Sequence, residues 1–391
     1  MKILHISPDA PFNEGWGYQE NLLPKYQARL GHQVVLIASA YENGKEGLVP
    51  VPERRFFSRD GFEVIQRKTG KSSFPVIGKL FTDMDTRDIL EEFHPDFIFY
   101  HGMISLSIRQ AAEYKKKNPS TVLVMDNHMD YRIGFIPDTF RAKCKALVYR
   151  TALKPVYPLV NRIYGVTPWR KTYAEEIFGA PKEKTDVLVM GADDDAIPFS
   201  SRESVREKIR RDHQITDHEF LIVSGGKLSG NKNIIALMKA VSGLQNVRLV
   251  LFGSVQEDIK EEFHSLLSEK VEWDGWISSD KTYDYFLAAD LAFFPGQHSV
   301  LWEQACACGI PCVFQDWEGM HHVDVGGNCL FLKDPDVSNI RSCIQKITGS
   351  DLYESMLKAS RSLCMDAFLY SRIAVKSLET ANPDLCRKGV Q

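Results

Sequence analysis

Short continuous apolar runs alternate along this chain with longer stretches in which apolar residues recur at helical spacing. KILHIS opens the series as a strand. A loop with Gly15 and Gly17, a helical pattern from Tyr18 to Leu30 and the strand VVLIAS follow. Strand, glycine loop, helix and strand make a βαβ unit, which requires a parallel sheet. Residues 41–75 lack periodicity and predict loops with a hairpin around FEVIQR. The alternation resumes with a helix over Lys79–Phe93, the strand DFIFYHG, a helix over Ile104–Lys117 and the strand TVLVMD, whose C-terminal loop is DNHMDY. Helical sequence over Thr139–Val160, the strand RIYGVT, a further helix and the strand TDVLVMGAD complete this half.

The pattern restarts at about residue 197. A charged helix, RESVREKIRRDH, precedes the strand FLIVSGG and a loop from Gly225 to Lys232. A helix to about Val241 and the strands VRLVLFG, VEWDGWI and DLAFF come next. Pro295 and Gly296 end the last of these. Ser299 is placed to cap a helix running through Trp302 and Glu303 to Cys308. Gly309 suits a left-handed helix end, and Pro311 blocks continuation. The small residues Ala305, Cys306, Ala307 and Cys308 allow this helix to lie close to a sheet. Each half reads as a doubly wound α/β domain, with ligands expected beyond the C-terminal strand ends and in the cleft between the halves.

Composition narrows the function class. No apolar run approaches the length of a membrane span. The N-terminus turns polar too soon for a signal peptide. The eight cysteines form no CxxC pair, and Cys306, Cys308 and Cys312 lie in apolar context, so buried thiols in a reducing cytoplasm are expected. A net charge of −3 argues against non-specific nucleic-acid binding. From Arg141 to Lys171 there are eight basic residues and no acidic one. They are interleaved with Leu147, Val148, Tyr149, Leu153, Tyr157, Leu159 and Trp169. Two readings stand: contact with an anionic membrane at its inner face, or a solvated helix face whose apolar side covers the sheet.

Several stretches together resemble family 4 of the retaining GT-B glycosyltransferases. EQACACGIP matches the second half of the family's donor-site signature, a glutamate followed by a small-residue run ending in Cys-Gly-x-Pro. The family's first glutamate falls eight positions before Glu303, where this chain has Pro295. Gly226-Lys227-Leu228 and Lys232 stand where the family has Gly-Arg-Leu and a lysine. The Gly15–Gly17 loop and the helix end at Gly31-His32 resemble its opening.

The resemblance implies a GT-B fold of two Rossmann-like domains, 1–196 on the acceptor side and 197–365 for the nucleotide sugar. Residues 366–391 would cross back to the first domain. It implies retaining, metal-independent transfer of a hexosyl group from a nucleotide diphosphate sugar to a glycan or lipid-linked glycan, as in polysaccharide biosynthesis. The donor-binding residues would be Gly15, Gly17, Gly226, Lys227, Lys232, Ile277, Gly296, Gln297, His298, Ser299, Val300 and Glu303. The lysines would neutralise the diphosphate, Ile277 would meet the base through its backbone, and Glu303 would hold the ribose. His128 would face the transferred sugar, and Asp130 would orient or deprotonate an acceptor hydroxyl. Asp193-Asp194-Asp195 matches the family's Gly-x-Asp strand end rather than a DxD metal site, so no metal and no cofactor is expected. Alternatives are a nucleotide-sugar epimerase of the same fold and a GT-B pseudoenzyme that only binds nucleotide sugar.

Overall fold

The structure, a computed structural model, describes residues 1–44, 47–73 and 78–381. Of the tail expected over 366–391, residues 382–391 lie outside the described residues. The chain forms two compact units. One comprises Met1–Val189 together with the chain from Ile373, and the other Met190–Arg372.

Among the described residues the first unit carries an eight-stranded sheet. Its strands are β1 (Lys2–Pro11), β2 (Gln33–Ser39), β3 (Arg54–Phe57), β4 (Glu63–Arg67), β5 (Phe97–Tyr100), β6 (Val122–Asn127), β7 (Arg162–Gly165) and β8 (Thr185–Val187). Their order is β8-β7-β6-β5-β1-β2-β4-β3. All pairs are parallel except β3 with β4, the hairpin predicted around FEVIQR. FIFY and VLVM are buried throughout because helices cover both faces of a parallel sheet. Strand order reverses between β1 and β5, so a crevice is expected beyond their C-terminal ends.

The second unit carries a six-stranded parallel sheet, β9 (Phe220–Leu228), β10 (Val247–Val255), β11 (Val271–Trp273), β12 (Leu291–Phe294), β13 (Cys312–Gln315) and β14 (Cys329–Leu332). The order is β11-β10-β9-β12-β13-β14, with its reversal between β9 and β12. The helix Leu301–Ala307 packs close to this sheet, as its small residues allow. Cys306 Sγ lies 3.9 Å from Cys312 Sγ and 4.0 Å from Cys329 Sγ, all buried. Gly309 has the expected left-handed backbone, at φ +68°. Among the described residues no helix is long and apolar enough to cross a membrane.

Local differences from the expected elements have identifiable causes. The helix expected over Lys79–Phe93 spans only Arg87–Phe93, and the one expected from Ile104 begins at Ile108. The chain before them is tied together instead: Thr82 bridges to Ser105, with Thr82 N–H donating to Ile104 O and Leu106 N–H donating to Thr82 O. Tertiary pairing here overrides helical spacing. The helix from Thr139 stops at Leu153, ahead of Pro155, and a short 3₁₀ turn holds Tyr157–Leu159. Of TDVLVMGAD, only Thr185–Val187 forms a strand, and Ala192 makes an isolated bridge to Leu369. Ser299 does not cap with its side chain. Val300 occupies the cap position, and Ser299 contributes its carbonyl to Trp302 N–H.

Candidate functional site

In the second unit Gly226, Lys232, Gly296 and Gln297 lie on the strand end and loops where the strand order reverses. β9 ends in Gly225-Gly226-Lys227-Leu228, with Gly226 at φ +98°. A Cβ on Gly226 would lie 2.9 Å from Leu301 Cδ1, so glycine lets this strand end meet the start of the helix Leu301–Ala307. The loop after β9 is joined to the loop after β12. Asn233 Nδ2 donates to Pro295 O (2.8 Å), Gln297 N to Asn231 O (3.2 Å) and Asn231 Nδ2 to Gln297 Oε1 (2.9 Å). Gly296 makes the approach possible, since a Cβ there would stand 2.3 Å from Lys232 Cα. Gly296→Ala is therefore expected to part the loops and cost about 1–3 kcal/mol, the usual range for overpacking. An unchanged melting temperature would contradict that packing.

Lys232 is the charged residue of this junction. Its Nζ donates to Gln297 O and approaches His298 O at 3.5 Å. Burial alone lowers its ammonium to about 8, and no carboxylate among the described residues pairs with it. Lys227, exposed, shares with it a polar cavity of about 430 Å³ lined also by Ser229, Asn231, Gln256, Asp258 and Gln297. Asp258 is partly committed, accepting from Gly230 N–H at 2.8 Å. Two cations beside such a cavity suit an anion with several oxygens.

Glu303 is fully buried in the first turn of the helix Leu301–Ala307. Its Oε1 accepts from His298 Nε2 (2.9 Å) and His322 Nε2 (2.8 Å), whereas Oε2 has no hydrogen-bond partner among the described residues. Burial pushes this carboxyl up, but the two imidazoles, His298 foremost, outweigh it and hold it at about 2. His298 thus turns its Nε2 to Glu303, and Gln297 its side chain to Asn231. Ser299 and Val300 lead into the helix. Ile277 is half-buried beyond β11, next to Gly275 (φ +74°) and the exposed Trp276.

In the first unit, Gly15 is exposed with φ +76° in the loop after β1, and Gly17 is half-buried beside it. His128 lies just past β6, its Nε2 3.2 Å from Asp126 Oδ2. Asp126 is fully buried and accepts hydrogen bonds from Gln19 Nε2 (2.9 Å), His101 Nδ1 (2.8 Å) and Gly102 N–H (2.8 Å). Burial raises its carboxyl, but His128 and His101 outweigh this and hold it well below the ordinary range. Burial works against the His128 cation, and Asp126 overcomes it and raises its pKa. The chain of contacts continues from His101 to His5 (3.0 Å), then Gln27 (2.7 Å) and Ser377 (3.0 Å).

Asp130 is not available as expected. It is buried, its Oδ1 accepts from the Arg132 and Ile133 amides (2.9 and 3.0 Å), and its Oδ2 pairs with Arg170 Nε at 3.2 Å. With both oxygens engaged, it fixes the loop after β6 rather than meeting an acceptor hydroxyl.

Among the described residues, two groups bring ligand-type atoms within 4.8 Å of one another: Glu20 with His101 and His128, and His298 with Glu303 and His322. In the second, both Nε2 atoms are spent on Glu303. In the first, His101 has both nitrogens in hydrogen bonds. Sequence reasoning missed His322, although it lies beyond the C-terminal end of β13, where ligands of such sheets are expected.

Comparison with known proteins agrees with this geometry. Residues 205–360 match the family model described as "Glycosyl transferases group 1". An uncharacterized glycosyltransferase of Methanocaldococcus jannaschii is 26% identical over 174 residues, 41% of this chain and 44% of that protein. The chain thus spans less than half the length of this curated relative. A glycosyltransferase structure from Rickettsia africae superposes with TM-score 0.69 at 16% identity, covering 98% of each chain. The structure of Anabaena HepE in complex with UDP-glucose gives TM-score 0.62 at 17% identity, covering 98% of this chain and 100% of that one. The chain therefore has the GT-B fold, and its residues 205–360 match the group 1 glycosyl transferase family.

Proposed function

We propose that this protein is a retaining glycosyltransferase that takes a sugar from a nucleotide diphosphate donor held by the second unit. The observation that carries this reading is Lys232, a half-buried cation with no carboxylate partner among the described residues, beside Lys227 at a polar cavity. A diphosphate supplies the missing negative charge and gains stabilisation as a leaving group. The unpartnered Oε2 of Glu303 suits a ribose hydroxyl, and the base is assigned to the backbone near Ile277. Pro295 offers no carboxylate to the sugar, but retaining transfer by front-face attack needs no protein nucleophile. His128, raised in pKa by Asp126, is assigned to the transferred sugar, and Gly15 and Gly17 to the donor. A glycan is the proposed acceptor class. A donor hydrolysis assay tests the reading: slow release of nucleoside diphosphate from one UDP-, GDP- or ADP-sugar is expected. Tight binding without any turnover, with acceptors supplied, would favour a nucleotide-sugar-binding pseudoenzyme.

A lipid-linked acceptor is favoured by one surface. Tyr149, Leu153 and Tyr157 of the basic segment are buried, and Val148 and Leu159 pack against the core, so these do not face a membrane. Phe140 and Leu147 are exposed, as are Ile133 and Ile136 just before them, at 84%, 62%, 64% and 57%. Arg132, Arg141 and Lys143 are exposed in the same stretch. Each cation near an anionic surface contributes at most about 1 kcal/mol. Sedimentation with vesicles at low salt should show stronger binding to anionic than to neutral lipid, weakened by Phe140→Ser. Equal partition would contradict membrane docking.

A further inference from the structure

We propose that His322 is a positioning residue that fixes Glu303 so that one carboxylate oxygen, Oε2, is presented to a ribose hydroxyl; this rests on the donor reading above. His322 and His298 converge on the same oxygen, Oε1, at 2.8 and 2.9 Å. They come from opposite sides in the chain. His298 precedes the helix that carries Glu303, and His322 lies in the 3₁₀ turn His321–Val323 beyond β13. Rotating the carboxylate would break both bonds, so the two imidazoles lock its plane.

The clamp is itself supported. His321 Nε2 reaches Asp316 Oδ1 at 2.6 Å, and its ring centroid lies 4.2 Å from that of Phe331, which anchors the turn. Trp302, adjacent to Glu303, is fully buried and stacked on Phe314 with centroids 4.2 Å apart. Oε2 is left buried with no partner. An unsatisfied buried acceptor is costly, and a hydroxyl donor relieves that cost. The arrangement therefore selects nucleotides that carry ribose hydroxyls, with His322 acting through Glu303 and not on the nucleotide.

The test measures dissociation constants for whichever of UDP, ADP and GDP gives the largest thermal shift, and for its 2′,3′-dideoxy analogue. Wild type should bind the dideoxy form at least about tenfold more weakly, which is about 1.4 kcal/mol. His322→Leu should bind the ribose form at least about fivefold more weakly than wild type while leaving the dideoxy form unchanged. His322→Gln should recover the ribose form, because its amide N–H can donate in place of Nε2–H. Should His322→Leu fail to fold, His322→Asn, whose amide is too short to reach Oε1, carries the same comparison. Equal weakening of both analogues would mean a merely structural role and overturn the proposal. Equal binding of both analogues by wild type would instead overturn the ribose assignment of Glu303, and the role of His322 with it.

Discussion

Lys232→Ala should lower sugar transfer roughly 10- to 100-fold, because a charge-assisted hydrogen bond contributes about 1.5–3 kcal/mol. The loss should exceed that of Lys227→Ala. Lys227 is exposed and its charge is screened by water, whereas Lys232 is half-buried and carries a lowered pKa. Lys232 Nζ also donates to Gln297 O, so part of the effect will be loosening of the loop after β12. The melting temperature separates that part. The same lysine sets a pH dependence. With its pKa at about 8 in the free protein, Lys232 is charged below that pH and loses its charge as pH rises through it. A bound diphosphate raises that pKa. Donor affinity should thus be constant below about pH 7 and fall by up to about tenfold per pH unit above about pH 8. Lys232→Ala should flatten this arm of the profile. Of the other charged groups lining the cavity, Lys227 is exposed and Asp258 is tied to the Gly230 amide. A wild-type affinity unchanged between pH 7 and pH 9, or transfer unchanged in Lys232→Ala, would remove the lysine from the site.

Glu303→Ala should damage binding and folding together. It takes the acceptor from His298 Nε2 and His322 Nε2, and each buried donor left unsatisfied costs about 1–3 kcal/mol. It also removes the oxygen assigned to the ribose. Nucleoside diphosphate affinity should fall roughly 10- to 100-fold, with a lower melting temperature. Glu303→Gln keeps one acceptor oxygen for the imidazoles and should retain most of the stability and part of the affinity. Calorimetric titration and thermal melts check both variants. Affinity within twofold of wild type in a folded Glu303→Ala protein would show that this carboxylate holds no ligand.

The large features were legible because they depend on local chemistry. Apolar runs buried on both faces gave the parallel strands, and Gly226, Gly296 and Gly309 stand where side chains would collide or strain the backbone. Lys227, Lys232 and Glu303 could be picked out because they sit at strand and helix ends within short motifs. What escaped depends on distant segments. Thr82 pairs with Ile104 and Leu106, and this shortened two expected helices. Asp130 reads as a free loop carboxylate until Arg170, forty residues on, is seen against it. His322 contacts Glu303 from beyond β13, and no spacing rule links them.

The central claim is that the cavity between the loops after β9 and β12 holds the diphosphate of a nucleotide sugar. Thermal-shift titration with UDP-, GDP- and ADP-sugars, on wild type and Lys232→Ala side by side, tests it most directly. One donor should stabilise wild type by about 2.7 kcal/mol at 100 times its dissociation constant, and the same concentration should shift Lys232→Ala far less. No shift with any donor at millimolar concentration, or an equal shift in both proteins, would contradict it.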